Sequence, residues 1–241
     1  MPSFLMRIKN LCWYYVHADL LKKNCNTYII CLDEKTGIQA LNHPHEGSPT
    51  SKGKLKRIEF EYKRNGTIDL LAARSVHDGK IIAHQLSETH NSIDFLNLVK
   101  SVMEKIPAGA RVVFIADQYS THLSEDLVRW VAEKVDFKGD LGKKGKKGIL
   151  KNKKSRLAFL ESACFPIRFI YTPKHCSWLN QIETWFGFLQ RNLLKDLSCN
   201  NVNELKCLIN DYINVFNQFW AKSFNWKFNG YKESKLYNNT A

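Results

Sequence analysis

Apolar and polar positions change their period several times along this chain. Residues 28–32 (YIICL) form an unbroken apolar run that stops at Asp33, the pattern of a buried strand with a carboxylate at or near its end. Ile58, Phe60 and Tyr62 alternate with Glu59, Glu61 and Lys63, the period of two expected of a half-buried strand. Asn65-Gly66 carries the signal of a type I′ hairpin turn. A second strand then runs to about Val76, and Asp78-Gly79 turns the chain into Lys80–Leu86. The region 28–86 therefore reads as an antiparallel meander. Residues 42–56 within it are rich in His, Pro, Gly, Ser and Lys and read as a loop, and residues 3–26 read as one or two short helices.

After residue 90 the period lengthens. Ile93, Leu96, Val99, Val102 and Met103 recur at helical spacing, and Pro107 and Gly109 end that helix. Residues 112–116 (VVFIA) form a second apolar run leading straight into Asp117. Ser124 is suited to cap a helix with Leu127, Val128, Val131 and Val135 on its apolar face. Residues 167–171 (IRFIY) read as a strand that Pro173 breaks. Ser177 is suited to cap a long helix with Leu179, Ile182, Trp185, Phe186, Leu189 and Leu193 as its stripe. A last helix spans roughly 202–219, with Asn201 and Glu204 placed as a capping box and Leu205 to Phe219 supplying a buried face. The resulting order, β-β-β-α-β-α-β-α, predicts an α/β domain. It is that of an RNase H-like mixed sheet, three antiparallel strands then two parallel ones, flanked by helices.

Composition narrows the function. The 241 residues are 44% hydrophobic and 12% aromatic, enough for a real core, and no apolar run approaches the roughly 18 residues of a membrane span. No signal-peptide core follows Arg7 and Lys9, so the expectation is a soluble cytoplasmic protein with no membrane partner. The formal charge of +13 suits a polyanionic partner, nucleic acid being the commonest. Much of it lies in residues 138–156, which hold nine Lys/Arg against one Asp. This basic insertion, with Lys143, Lys144, Lys146 and Lys147 at its centre, reads either as a solvated flexible loop or as a DNA-backbone contact. The seven cysteines are odd in number and contain no CxxC, which argues against a disulfide framework or zinc knuckle and for reduced thiols.

In a sheet of the predicted order, the strand carrying Asp33 lies beside the strand ending in Asp117. Glu183, on the helix after the last strand, borders the apolar stripe and would lean over the strand ends. Three carboxylates from separate elements then converge. Phosphodiester chemistry needs an activated nucleophile and a stabilised leaving oxygen, which two Mg²⁺ or Mn²⁺ ions on such oxygens supply. Taken singly, each acid has a plainer reading: Asp33 and Asp117 as turn residues bonded to their own backbone, Glu183 as a complement to its helix dipole. The three together in this order favour a metal site.

Three phrases carry a family resemblance. They are Cys31-Leu32-Asp33-Glu34-Lys35-Thr36-Gly37-Ile38-Gln39-Ala40-Leu41, Ala116-Asp117-Gln118-Tyr119-Ser120-Thr121-His122, and Thr172 through Phe186 (TPKHCSWLNQIETWF). Together they resemble the bacterial insertion-sequence branch of the mariner superfamily of DDE transposases, over most of residues 28–228. The resemblance implies a DDE catalytic core that nicks transposon ends and joins the freed 3′-OH to target DNA. It implies Asp33, Asp117 and Glu183 as catalytic metal ligands, and DNA and a second copy of the chain as partners. His175, Trp178 and Asn180 match the motif around the acidic helix and are expected to shape the site or touch DNA. Their plainer readings are core packing for Trp178 and a first-turn backbone partner for Asn180.

The sequence departs from the family at three places. Gln118 stands where these relatives usually have Asn. The spacing from Asp117 to Glu183 is long, the basic insertion accounting for much of the excess. Residues 1–27, a helical lead-in by this division, are shorter than the two-part helix-turn-helix region expected ahead of the core, and residues 229–241 read as a tail. A separately encoded helix-turn-helix half is therefore an expected partner. The alternative function is an impaired or truncated remnant acting only as a DNA-binding protein, and a nuclease for RNA–DNA hybrids is a third.

Overall fold

A computed structural model describes residues 4–43 and 61–230. Helices α1 (Phe4–Val16) and α2 (Ala18–Cys25) lead into strands β1 (Thr27–Asn42), β2 (Lys63–Ser75) and β3 (Ile81–Ser87). Then follow α3 (Ser92–Met103), β4 (Arg111–Ala116), α4 (Glu125–Lys134), α5 (Lys153–Leu160) and β5 (Ile167–Tyr171). Helices α6 (Gln181–Asn192) and α7 (Val202–Val215) complete the order, α7 running on into a π turn at Phe216–Trp220. The strands form one sheet in the order β3-β2-β1-β4-β5. β1 pairs antiparallel with β2, and β2 with β3, while β4 lies parallel to both β1 and β5. This is the RNase H-like mixed sheet that the element order predicts.

β1 lies third of the five strands and is buried on both faces, which is why its first half reads as an unbroken apolar run. Ile29 and Cys31 face a cluster with Ile8 and Leu11 of α1, Ile182 and Trp185 of α6, and Ile209 of α7. Ile30 and Leu32 face the opposite cluster, with Phe95 and Val99 of α3 and Leu127 and Val131 of α4. Each fully buried side chain of this kind contributes about 1.5–3 kcal/mol. The α1 stripe thus belongs to the same core as the sheet. No helix among the described residues is long and apolar enough to cross a membrane, and all seven cysteines are unpaired thiols.

Five expectations need correction. β1 is a 16-residue strand, so Asp33 lies within it and not at its end; however, its parallel ladder with β4 stops at Cys31 opposite Ile115, and Asp33 stands just past that ladder. Asn65-Gly66 makes no hairpin. β2 keeps pairing with β1 through this point, Gln39 opposite Thr67 and Leu41 opposite Arg64, with the extra residue taken up as a bulge. Gly66 sits there at φ +115, and a Cβ on it would meet Val202 Cγ2 at 2.5 Å. Ser177 opens a short 3₁₀ turn (Ser177–Leu179), and α6 starts only at Gln181 with Asn180 at its N-cap. Phe219 is 67% exposed, so the buried face of α7 ends before it. The basic insertion is not a free loop: Leu150 is fully buried, Leu150 N donates to Leu141 O at 2.9 Å, and α5 begins inside it under an Asn152–Ser155 capping box. Ile58 and Phe60, with residues 44–56 of the expected loop and 231–241 of the expected tail, lie outside the described residues.

Candidate active site

Strand alternation decides what flanks the carboxylates. Asp33 shares a face of β1 with Ile29 and Cys31, towards α6, and is 7% exposed. Its Oδ1 accepts from Glu34 N at 3.0 Å, and its Oδ2 from Asn180 Nδ2 at 3.2 Å. Asn180 is fully buried and also donates to Leu32 O at 2.8 Å, so it ties the start of α6 to β1. Its Oδ1 has no hydrogen-bond partner among the described residues. The Asn180 side chain is thus enclosed at the start of α6 and held against β1.

Glu34 emerges on the opposite face. Asp117 follows the last residue of β4, and its Oδ1 accepts from Tyr119 N at 2.9 Å. The 3₁₀ turn that follows, Thr121–Leu123, returns His122 to the sheet edge. His122 is fully buried, its ring 4.1 Å from that of Phe95. Its Nδ1 lies 2.7 Å from Asp117 Oδ1 and its Nε2 2.9 Å from Glu34 Oε2. Tyr171 Oη donates to His122 O at 2.8 Å, locking the turn against β5. A histidine flanked this way carries both protons as a cation between two carboxylates. Burial opposes that charge, but the hydrogen bonds to Asp117 and Glu34 prevail and push its pKa up to about 10. Burial likewise works against ionisation of Asp117, and the His122 bond overcomes it and holds Asp117 below the usual carboxylate range.

Asp33 behaves differently. Burial pushes it up to about 8; the charge of His122 works the other way, while Glu34 and Asp117 add to the rise. The Asp33 and Asp117 oxygens and a His122 nitrogen lie within 4.8 Å of one another. Glu183 is outside that group. It sits exposed on the first turn of α6, its N–H donating to Asn180 O at 3.1 Å. Partial loss of its water raises its pKa, Lys35 counters this, and Asp117 and Glu34 reinforce it. Two of the three expected acids thus converge, with Glu183 within electrostatic reach of them. His122 and Glu34 lie inside the quoted phrases, but nothing in their spacing assigns them a role.

The remaining expected residues divide. Gln118 donates through Nε2 to Thr172 O at 2.9 Å, joining the ends of β4 and β5, so its amide is already engaged. His175 is exposed in a turn at φ +62. Trp178 is 48% exposed, its ring edge-on to Phe228 at 5.4 Å, and so is not core packing. Lys143, Lys144, Lys146 and Lys147 are exposed on a tight turn closed by Lys143 N donating to Lys147 O at 2.9 Å.

Residues 28–206 match the family model described as DDE superfamily endonuclease. Among solved structures, the fold is similar to that of a pre-cleavage Mos1 transpososome, with a TM-score of 0.51 and 16% identity. It is also similar to the Mos1 mariner paired end complex with Mn, with a TM-score of 0.50 and 15% identity. Each match covers 88% of this chain and 55% of the other, so the chain spans little more than half the length of those relatives. At these identities the likeness is one of fold. No curated protein matches the sequence.

Proposed function

The chain belongs to the DDE superfamily endonuclease family, and from that premise we propose that it is the catalytic core of a DNA transposase, with Asp33, Asp117 and Glu183 holding divalent metal. The observation that carries this reading is the convergence of two carboxylates from adjacent strands, Asp33 buried and Asp117 half-buried, each fixed by its own partner: Asn180 for Asp33, His122 for Asp117.

The donor set suits a hard divalent cation such as Mg²⁺ or Mn²⁺. Carboxylate oxygens are what such ions select, and both nitrogens of His122 are already engaged, which leaves the oxygens to ligate. Asp33 is a buried acid whose charge the protein alone disfavours, and a cation reverses that balance. When bound, two such ions supply an activated nucleophile and stabilise the leaving oxygen of a phosphodiester. The residues of the chain do the rest. Asn180 and the Glu34 N–H orient Asp33, His122 fixes the rotation of Asp117, and Glu183 closes the site from α6. Exposed His175 and Trp178, beside the start of α6, are assigned to DNA.

The substrate in this reading is duplex DNA at transposon ends, nicked by water, with the freed 3′-OH then attacking a target strand. The test is nicking of end-containing duplex in Mg²⁺ or Mn²⁺. Asp117→Ala should reduce it to background while the fold, followed by circular dichroism, is retained. Equal activity in that variant would remove Asp117 from the site. DNA binding without any calorimetric Mn²⁺ uptake would establish the DNA-binding-only alternative.

A further inference from the structure

One cleft brings side chains of the basic insertion together with the turn that follows β4. Lys144, Lys153 and Arg156 line this cleft, of about 400 Å³, together with Ser92, Ser120 and Thr121. Ser120 and Thr121 belong to the turn that follows Asp117, and the next residue, His122, bonds Asp117 through its ring, so one wall segment of the cleft is continuous in sequence with the acidic centre. None of the three cations is paired with a carboxylate among the described residues. Arg156 Nε donates only to Asn152 O of its own helix, at 3.3 Å.

Two acids also line the cleft, and they do not cancel the cations. Glu125 is taken up by Arg129, at 2.9 Å and 2.6 Å. Asp126 Oδ2 accepts from Ser92 Oγ at 3.4 Å. Both stand in the first turn of α4, where they offset the partial positive charge of that helix end. The sign of the cleft is therefore set by the three side-chain cations, against one uncompensated acid.

Convergent Lys and Arg cations interleaved with Ser and Thr hydroxyls, in an open cleft, are the donor set that grips phosphate oxygens without reading bases. The geometry points to this cleft as the track along which a DNA strand's phosphates approach the acidic centre. This inference rests on the transposase reading above. It also separates the lysines of the insertion: Lys144 faces the cleft, whereas Lys143, Lys146 and Lys147 do not line it.

The test is the salt dependence of binding to a fluorescein-labelled duplex of arbitrary sequence, read by anisotropy between about 50 and 200 mM salt. The combined Lys144→Ala, Lys153→Ala, Arg156→Ala variant should lower the slope of log K against log salt by about 2–3, roughly 0.9 for each phosphate no longer neutralised. A charge-keeping Lys153→Arg, Arg156→Lys variant should retain the slope. A control lacking three exposed lysines elsewhere (Lys23, Lys100 and Lys134) should also retain it. An unchanged slope in the first variant, or an equal fall in the control, overturns the track. Calorimetric Mn²⁺ uptake should be the same in all variants, so failure of the track and failure of the metal-site reading give different results.

Discussion

The two flanks of the carboxylate edge are built on opposite terms. On the α3–α4 flank the polar groups around His122 answer one another: its ring bonds Asp117 and Glu34, its carbonyl accepts from Tyr171, and its face lies on Phe95. On the α6 flank Asp33 is buried with one amide and one backbone N–H, Asn180 Oδ1 has no partner among the described residues, and Glu183 stands exposed. One flank is complete as protein and preorganises Asp117. The other leaves Asp33 and an amide oxygen buried with fewer partners, which is the flank that the proposed cation would complete. Preorganisation of this kind by groups behind the ligands is worth about 10–100-fold in metal affinity or activity.

The largest break in this comparison comes from His122→Ala. It removes the cation between Glu34 and Asp117 and leaves the two carboxylates to repel. Losing one member of a buried ion pair costs about 3–5 kcal/mol; the low end, about 3, applies because Asp117 keeps contact with water. Urea denaturation should show that loss, and metal-dependent nicking should fall by about 10–100-fold. Glu34→Gln, which keeps an acceptor for Nε2 but not the charge, should fall between the variant and the parent. A stability unchanged in His122→Ala would mean that the α3–α4 flank is not self-sufficient.

Asn180→Ala tests the other flank and should do less to the fold. It orphans the Leu32 carbonyl and frees Asp33 to rotate, a loss of about 1–3 kcal/mol. Its main effect should appear with metal present, as a drop in Mn²⁺ affinity of about 10-fold by calorimetry. A metal-free stability loss larger than that of His122→Ala would reverse the contrast between the flanks.

What the sequence disclosed follows the same division between local and distant. β4 was legible because an inner parallel strand must be apolar on both faces, so VVFIA followed by Asp117 gives both the strand and the carboxylate at its end. Ser124 as a cap was legible because capping is local, and its side chain does accept from Leu127 N. Asn65-Gly66 misled for the converse reason: its turn propensity is real, but β2 gains more by continuing its ladder with β1, and the glycine's freedom is used in a bulge. The full length of β1 was hidden because beyond Asp33 the run turns polar. His122 and Glu34 meet across 88 positions of sequence, through a 3₁₀ turn, and no period marks such a contact.

The smallest effect to measure is one of protons, and it separates the flanks most directly. In the metal-free fold, burial pushes Asp33 up to about 8, far above the roughly 3.9 of an unfolded Asp. A raised folded value means the fold keeps a proton that the unfolded chain has released, so this contribution to stability is present below about pH 4 and is lost as pH rises through about 8. A divalent ion needs the ionised form and must displace that proton. Calorimetry of Mn²⁺ binding in buffers of different ionisation enthalpy should therefore report release of about one proton near pH 6.5 and almost none near pH 9. Asp117, held below the usual carboxylate range by His122, is already ionised at both pH values and adds nothing, and His122 stays charged across the window because its own value is raised to about 10. Proton release that is the same at both pH values would mean that Asp33 is not the residue awaiting a cation, and the asymmetry between the flanks would then have to be electrostatically silent.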